Sequence, residues 1–215
     1  MNKIKAICFD MDGVLIDAKD WHYEALNEAL KLFGIEISRY DHLHTFDGLP
    51  TKVKLSLLSE ENFLPPELHQ FINHLKQKFT TKKIIEKCHP VFHHEYALSK
   101  LKYEGYKIAV CSNSIRSTIE QMMNSSALSK YLDLIVSNED VKKSKPDPEM
   151  YNFAISSFGL SPEECLVVED NPNGVKAGIS SGAHVLQVET VFDVNYSNIK
   201  NKIIEIESIK KRLNT

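Results

Sequence analysis

Arginine is scarce in this chain: three residues in 215, at Arg39, Arg116 and Arg212. Lysine and arginine together number 26 against 29 aspartates and glutamates, a formal net charge of −3. With no basic excess and no Lys/Arg cluster, the chain lacks the electrostatic footprint of a nucleic-acid binder or of a protein drawn to an anionic membrane. Long apolar runs are missing too. The stretch from Met1 to Asp10 is too short and too interrupted for a signal peptide or a membrane span. The four cysteines, Cys8, Cys88, Cys111 and Cys165, show no CxxC spacing. Three of them sit in apolar strand-like runs, where cysteine behaves as a small hydrophobe. Together these absences set the expectation of a reduced, cytoplasmic protein with no membrane or nucleic-acid partner. No internal repeat or low-complexity linker is visible, and a monomer is expected.

What is present is a chain that can bury a core: 42% of its residues are hydrophobic. Five short apolar runs read as strands: Ile4 to Phe9, Lys107 to Cys111, Leu134 to Val136, Cys165 to Val168 and His184 to Val188. The runs are continuous rather than alternating, as when both faces of a parallel sheet are covered. Helical patterns separate them. One precedes Gly105, one opens near Arg116, and one runs from Gly174 to Ser181. Ser161-Pro162-Glu163-Glu164 carries a capping-box start. The alternation predicts a doubly wound, Rossmann-like α/β sheet. From 18 to 88 the pattern is helical throughout, with stretches around Trp21 to Phe33, Leu55 to Leu58 and Leu68 to Phe79. The predicted organisation is an α/β core of residues 1–17 and 89–215, interrupted by an all-helical insert of residues 18–88.

Four polar groups fall at or beyond the C-terminal ends of predicted strands, the edge at which open α/β sheets bind ligands. Asp10-Met11-Asp12-Gly13 sets two carboxylates at the end of the first strand. Ser112-Asn113-Ser114 offers hydroxyls and backbone N–H groups, an anion cradle. Lys145-Pro146-Asp147-Pro148 supplies a compact phosphate-binding charge on a loop stiffened by prolines. Glu169-Asp170-Asn171-Pro172-Asn173-Gly174 offers acidic oxygens suited to a hard cation. Each group alone also reads as a turn, a cap or a surface loop. Together they supply a nucleophile, a phosphate cradle, a neutralising lysine and a cation site, the parts that phosphoryl transfer needs.

In Asp10 to Asp17 (DMDGVLID), Lys145 to Pro148 (KPDP) and Val168 to Gly174 (VEDNPNG), the chain resembles the haloacid dehalogenase superfamily. The likeness is to the branch that contains beta-phosphoglucomutase and sugar-phosphate phosphatases. The resemblance spans nearly the whole chain and thins after Gly48 and beyond Glu189. It implies that the insert is a mobile cap and that Asp10 attacks phosphorus to form an aspartyl-phosphate. Asp12 would act as general acid and base, Ser112 and the Asn113 amide would hold the phosphoryl group, and Lys145 would neutralise charge. A Mg²⁺ ion would be held by Asp10, the Asp12 carbonyl and Asp170, with Glu169 bound directly or through a neighbour. The implied activity is Mg²⁺-dependent hydrolysis of a small phosphorylated metabolite, a sugar phosphate in the first instance.

His22 lies in the first helix of the insert, where the resemblance implies contact with Asp12 or substrate; a polar residue on a helix face is the plain alternative. Lys52 follows Gly48-Leu49-Pro50-Thr51, a loop that faces the site in the resembled branch, and is a candidate for the substrate's distal part. His89, His93 and His94 lack the partners of a recognised metal motif and read as solvated or capping residues. The alternative activity is that of a phosphomutase, which needs a second anion site. In the resembled mutases an arginine shortly after the cap glycine serves as that site; Gly48-Leu49-Pro50-Thr51-Lys52 holds none, and lysine lacks the bidentate fork of arginine, so the resemblance favours water as acceptor.

Overall fold

The computed structural model describes residues 3–62 and 64–213. The strands Ala6–Phe9 (β1), Lys107–Cys111 (β2), Leu134–Val136 (β3), Cys165–Glu169 (β4) and His184–Gln187 (β5) form one sheet in the order β3-β2-β1-β4-β5. Every pairing is parallel, and Cys8 lies between Ala109 on one side and Val167 on the other. Parallel neighbours need crossovers, and helices supply them. Arg116–Ser125 links β2 to β3, Glu149–Ser157 links β3 to β4, and Pro172–Ser180 links β4 to β5. All four residues of β1 are fully buried, which is why its sequence shows no alternation. From β1 the chain winds outward to β2 and β3, then returns past β1 to begin β4. β1 is therefore central and lies at the point where the winding reverses.

One face of the sheet, with Cys8, Ala109, Cys111 and Val167, packs on Met150, Tyr151, Ala154 and Ala177 from two of the crossover helices. Ser161 and Glu164 form the expected capping box around a short 3-10 turn, Pro162–Glu164, that leads into β4.

Two elements were not expected from the sequence. The helix Glu149–Ser157 begins directly after Pro148, the residue that made the segment read as loop. The helix Tyr196–Leu213 occupies a segment beyond Glu189, where the resemblance thins and no element was read from the sequence.

The chain divides into two units: residues up to Asp17 together with those from His89 onward, and Ala18–Cys88. The second unit contains the helices Lys19–Lys31, Thr51–Asn62 and His69–Lys87, with no strand among its described residues. It has its own core of Leu26, Leu30, Ile37, Phe46, Leu55, Leu58 and Ile72. Asn27 is buried there because its amide closes on Ile37, donating to the carbonyl and accepting the N–H, both at 2.9 Å.

Candidate active site

β1 ends at Phe9, and the next backbone N–H, that of Asp10, still donates to Val168 O at 2.9 Å. Sheet pairing thus fixes the Asp10 backbone. The chain then turns sharply. The N–H groups of Leu15 and Ile16 both converge on Met11 O, at 3.0 and 2.9 Å. Gly13 takes φ +89°, a left-handed conformation that glycine adopts without steric cost. This turn keeps Asp12 beside Asp10. Ser114 Oγ donates to Asp12 Oδ2 at 3.4 Å.

Ser112 follows β2, and its N–H donates to Val136 O at 3.0 Å, continuing the ladder to β3. Its hydroxyl accepts the Ser114 N–H at 3.1 Å and is almost wholly buried. The Asn113 side chain faces the lysine loop. Its Oδ1 accepts the Lys145 N–H at 3.1 Å, and its Nδ2 donates to Lys145 O at 3.4 Å.

Lys145 is buried, and its ammonium donates three hydrogen bonds: to Asp10 Oδ1 at 2.6 Å, Glu169 Oε1 at 2.6 Å and Cys111 O at 2.8 Å. Glu169, at the end of β4, is 1% exposed. Its Oε1 also accepts from Tyr151 OH at 2.7 Å, and its Oε2 accepts the N–H groups of Asp170 and Asn171 at 3.1 and 3.4 Å. Helix Pro172–Ser180 makes room for this carboxylate by placing Gly174 against it. A Cβ at 174 would fall 1.9 Å from Glu169 Oε1.

These groups perturb one another strongly. Burial is the largest influence on Asp10 and raises its pKa well above the ordinary aspartate value. Lys145 opposes that rise, while Glu169, Asp12 and Asp170 add to it. Burial also disfavours the Lys145 ammonium, but Asp10 and Glu169 outweigh it and leave the lysine above its ordinary value. Burial and the Glu169 carboxylate push the Tyr151 hydroxyl up, so it stays protonated and donates.

One ammonium is thus bound by two carboxylates, Asp10 and Glu169, with Asp12 and Asp170 close enough to Asp10 to act on it. Oxygens of Asp10, Glu169 and Asp170 lie within 4.8 Å of one another. An all-oxygen set with surplus negative charge suits a hard divalent cation, so these residues fit the metal that the sequence pattern implies. Glu169 already spends both oxygens on protein donors. Asp10 and Asp170 are the carboxylates better placed to bind a cation directly.

The structure thus brings Asp10, Asp12, Ser112, Asn113, Lys145, Glu169 and Asp170 to the C-terminal edge of β1, β2 and β4. His22 and Lys52 lie in the helical unit. The Lys76 ammonium donates to His22 Nδ1 at 3.1 Å, and Lys52 is exposed. Sequence reasoning missed Tyr151, the clamp formed by the Asn113 side chain, and the buried lysines Lys54 and Lys76 of the helical unit. The periodicity of His69–Lys87, in which Lys76 falls four residues after Ile72, was the available signal for Lys76.

The arginines are committed elsewhere. Arg39 pairs with Asp20 at 2.5 Å, and Arg116 binds both oxygens of Asp140 at 2.9 and 2.7 Å. The side chain of Arg212 lies outside the described residues. No helix among the described residues is long and apolar enough to cross a membrane.

Comparison with known proteins agrees with this geometry. The chain is 28% identical over 196 residues to a phosphorylated carbohydrates phosphatase of Thermotoga maritima, spanning 90% of this chain and 87% of that protein. It is 28% identical over 179 residues to a phosphoglycolate phosphatase of Aquifex aeolicus, spanning 83% and 82%. The solved structure of beta-phosphoglucomutase from Clostridium difficile shares the fold, with a TM-score of 0.81 at 23% identity over 94% of this chain and 98% of that one. Residues 7–188 match the family model described as haloacid dehalogenase-like hydrolase, and the chain belongs to that family.

Proposed function

We propose that this protein is a Mg²⁺-dependent phosphatase that hydrolyses a small phosphorylated metabolite, in the first instance a sugar phosphate, through an aspartyl-phosphate on Asp10. The observation that carries the reading is the Lys145 ammonium held 2.6 Å from Asp10 Oδ1. A buried carboxylate at a sheet edge, kept beside a fixed cation, is equipped to approach an anionic phosphate. The relatives named as phosphatases support the same class.

In this reading an Asp10 carboxylate oxygen attacks phosphorus and the bond from phosphorus to the ester oxygen breaks. Asp12 gives its proton to the departing oxygen. Asp12, now ionised, takes a proton from water as that water attacks the phosphorus of the aspartyl-phosphate. Inorganic phosphate leaves, and the Asp10 carboxylate is restored. Lys145 stays protonated throughout and shares its charge between Asp10 and the phosphoryl oxygens. Ser112 and the Asn113 N–H are assigned to hold those oxygens. Asp10 and Asp170, the Asp12 carbonyl and, directly or through a bridging water, Glu169 would hold Mg²⁺, which when bound supplies further neutralisation of the phosphoryl charge. His22, to which the Lys76 ammonium donates, and Lys52 are candidate substrate-binding residues, Lys52 for the substrate's distal part. With Arg39 and Arg116 both engaged by aspartates, water rather than a second sugar phosphate is the favoured acceptor.

The test is hydrolysis of para-nitrophenyl phosphate and a panel of sugar phosphates, with and without Mg²⁺, for wild type and Asp10→Asn. The wild type should release phosphate only with the metal. Asp10→Asn should fold normally and lose at least ~10³-fold in kcat, as expected when covalent catalysis is removed. Near-wild-type turnover by Asp10→Asn would remove Asp10 as nucleophile. Conversion of beta-glucose 1-phosphate to glucose 6-phosphate with little free phosphate would make the enzyme a mutase.

A further inference from the structure

We propose that Tyr151 is a positioning residue for Lys145, acting through Glu169, a role that rests on the phosphatase reading for its effect on turnover. Tyr151 lies in helix Glu149–Ser157, six residues beyond the lysine, and is fully buried. Its ring lies 4.8 Å from the Lys145 ammonium, and its hydroxyl donates to Glu169 Oε1 at 2.7 Å. That same oxygen accepts from Lys145 at 2.6 Å.

The ammonium is shared between two carboxylates at equal distance, Asp10 and Glu169. Catalysis requires it to serve Asp10 and then the transferring phosphoryl oxygens, not to settle on Glu169. Tyr151 acts on this balance. Its hydrogen bond occupies part of the acceptor capacity of Oε1 and holds the carboxylate back against its helix. The two backbone N–H groups on Oε2 fix the other side. Without the hydroxyl, Lys145 becomes the only donor on Oε1, and a buried carboxylate draws its remaining cation closer. The ammonium then moves away from Asp10. Gly174 packs directly against the same carboxylate, where a Cβ would fall 1.9 Å from Oε1.

Tyr151→Phe removes the hydroxyl and keeps the ring. We expect unchanged folding, a fall in kcat on the order of tenfold, and KM within about twofold of wild type. Two further readouts separate positioning from general packing. The Lys145 ammonium NMR resonance should shift in the metal-free protein, where no turnover is involved. In a Glu169→Gln background, Tyr151→Phe should cost nothing further, because the residue through which it acts is already altered. Wild-type kcat with an unmoved resonance would overturn the proposal, as would equal losses in both backgrounds. If Tyr151→Phe does not fold, para-aminophenylalanine at position 151 retains a donor and should keep both the rate and the resonance; loss of either refutes the role. If the wild type hydrolyses no phosphate ester, the phosphatase reading falls, and the resonance alone still decides whether Tyr151 positions Lys145.

Discussion

Asn113 grips the main chain of Lys145 from both sides, accepting its N–H at 3.1 Å and donating to its carbonyl at 3.4 Å. The side chain of Lys145 aims at Asp10, but its backbone belongs to a loop more than thirty residues away from Asn113 in sequence. The amide of Asn113 ties the backbone of that loop to the residues after β2, alongside the ammonium's own bond to Cys111 O. Asn113→Ala should therefore lower kcat by about tenfold through a looser lysine. It should also raise hydrogen exchange in residues 142–147 while leaving the melting temperature nearly unchanged. Unaltered exchange in the loop would show that the clamp is redundant.

Asp12→Asn should slow poor leaving groups more than good ones. A general acid contributes roughly 10²–10⁴-fold when the departing oxygen needs a proton. Para-nitrophenolate leaves without one, and a sugar alkoxide does not. Comparison of kcat/KM for aryl and alkyl phosphates measures the difference. Equal losses would reduce Asp12 to a group that orients its neighbours.

Gly174→Ala should damage the site without touching a polar group. The added methyl would overlap Glu169 Oε1 at 1.9 Å, and that carboxylate is held by four donors. Overpacking of this kind costs about 1–3 kcal/mol, a fall of roughly 2–12 °C in melting temperature for a domain of this size. Activity should drop further than stability, because the displaced group also holds Lys145. Calorimetry and steady-state kinetics on the same preparation test both parts.

His94 should make the protein acid-sensitive. Its Nε2–H donates to Val191 O at 2.8 Å, its Nδ1 has no partner among the described residues, and burial lowers its pKa from 6.5 to about 4. Between those values the unfolded chain binds a proton that the folded chain does not, so stability falls as pH drops through this window. The full effect is about 3 kcal/mol by linkage. His94→Gln should be less stable than wild type at pH 7, with the gap narrowing by about that amount by pH 4. Urea titrations across the range give the gap directly, and a constant gap would exclude His94 as the cause.

The strands and the chemical groups were legible because each is a local pattern. Cys165 to Val168 reads as a buried strand from its own residues, and Asp10, Lys145 and Asp170 stand in short motifs at strand ends. Helix Glu149–Ser157 was hidden because prolines at 146 and 148 mask its start, although proline just before a helix is favourable. Tyr151 was hidden for a different reason. Its meaning depends on Glu169, eighteen residues on, which becomes its neighbour only when β4 is paired with β1. The Asn113 side chain is a similar case: asparagine after a strand reads as a cap, and only the fold shows which backbone it closes on. Lys54 and Lys76 read as surface lysines because their burial is set by packing among helices whose hydrophobic faces are weakly defined.

The central place of β1 also orders events during synthesis. Ala6 pairs with Lys107 on one side and Cys165 on the other, so the first strand made waits longest for its neighbours. The helical unit relies on contacts within Ala18–Cys88 and can close early, since nearby contacts form faster than distant ones. Asp10 precedes Lys145 by 135 residues and Glu169 by 159, and gains both only once those later segments have been made. A chain ending before β4 therefore carries Asp10 and Lys145 but lacks Glu169 and Asp170, so the ammonium would have only one of its two carboxylates and the acidic cluster only one of its three members.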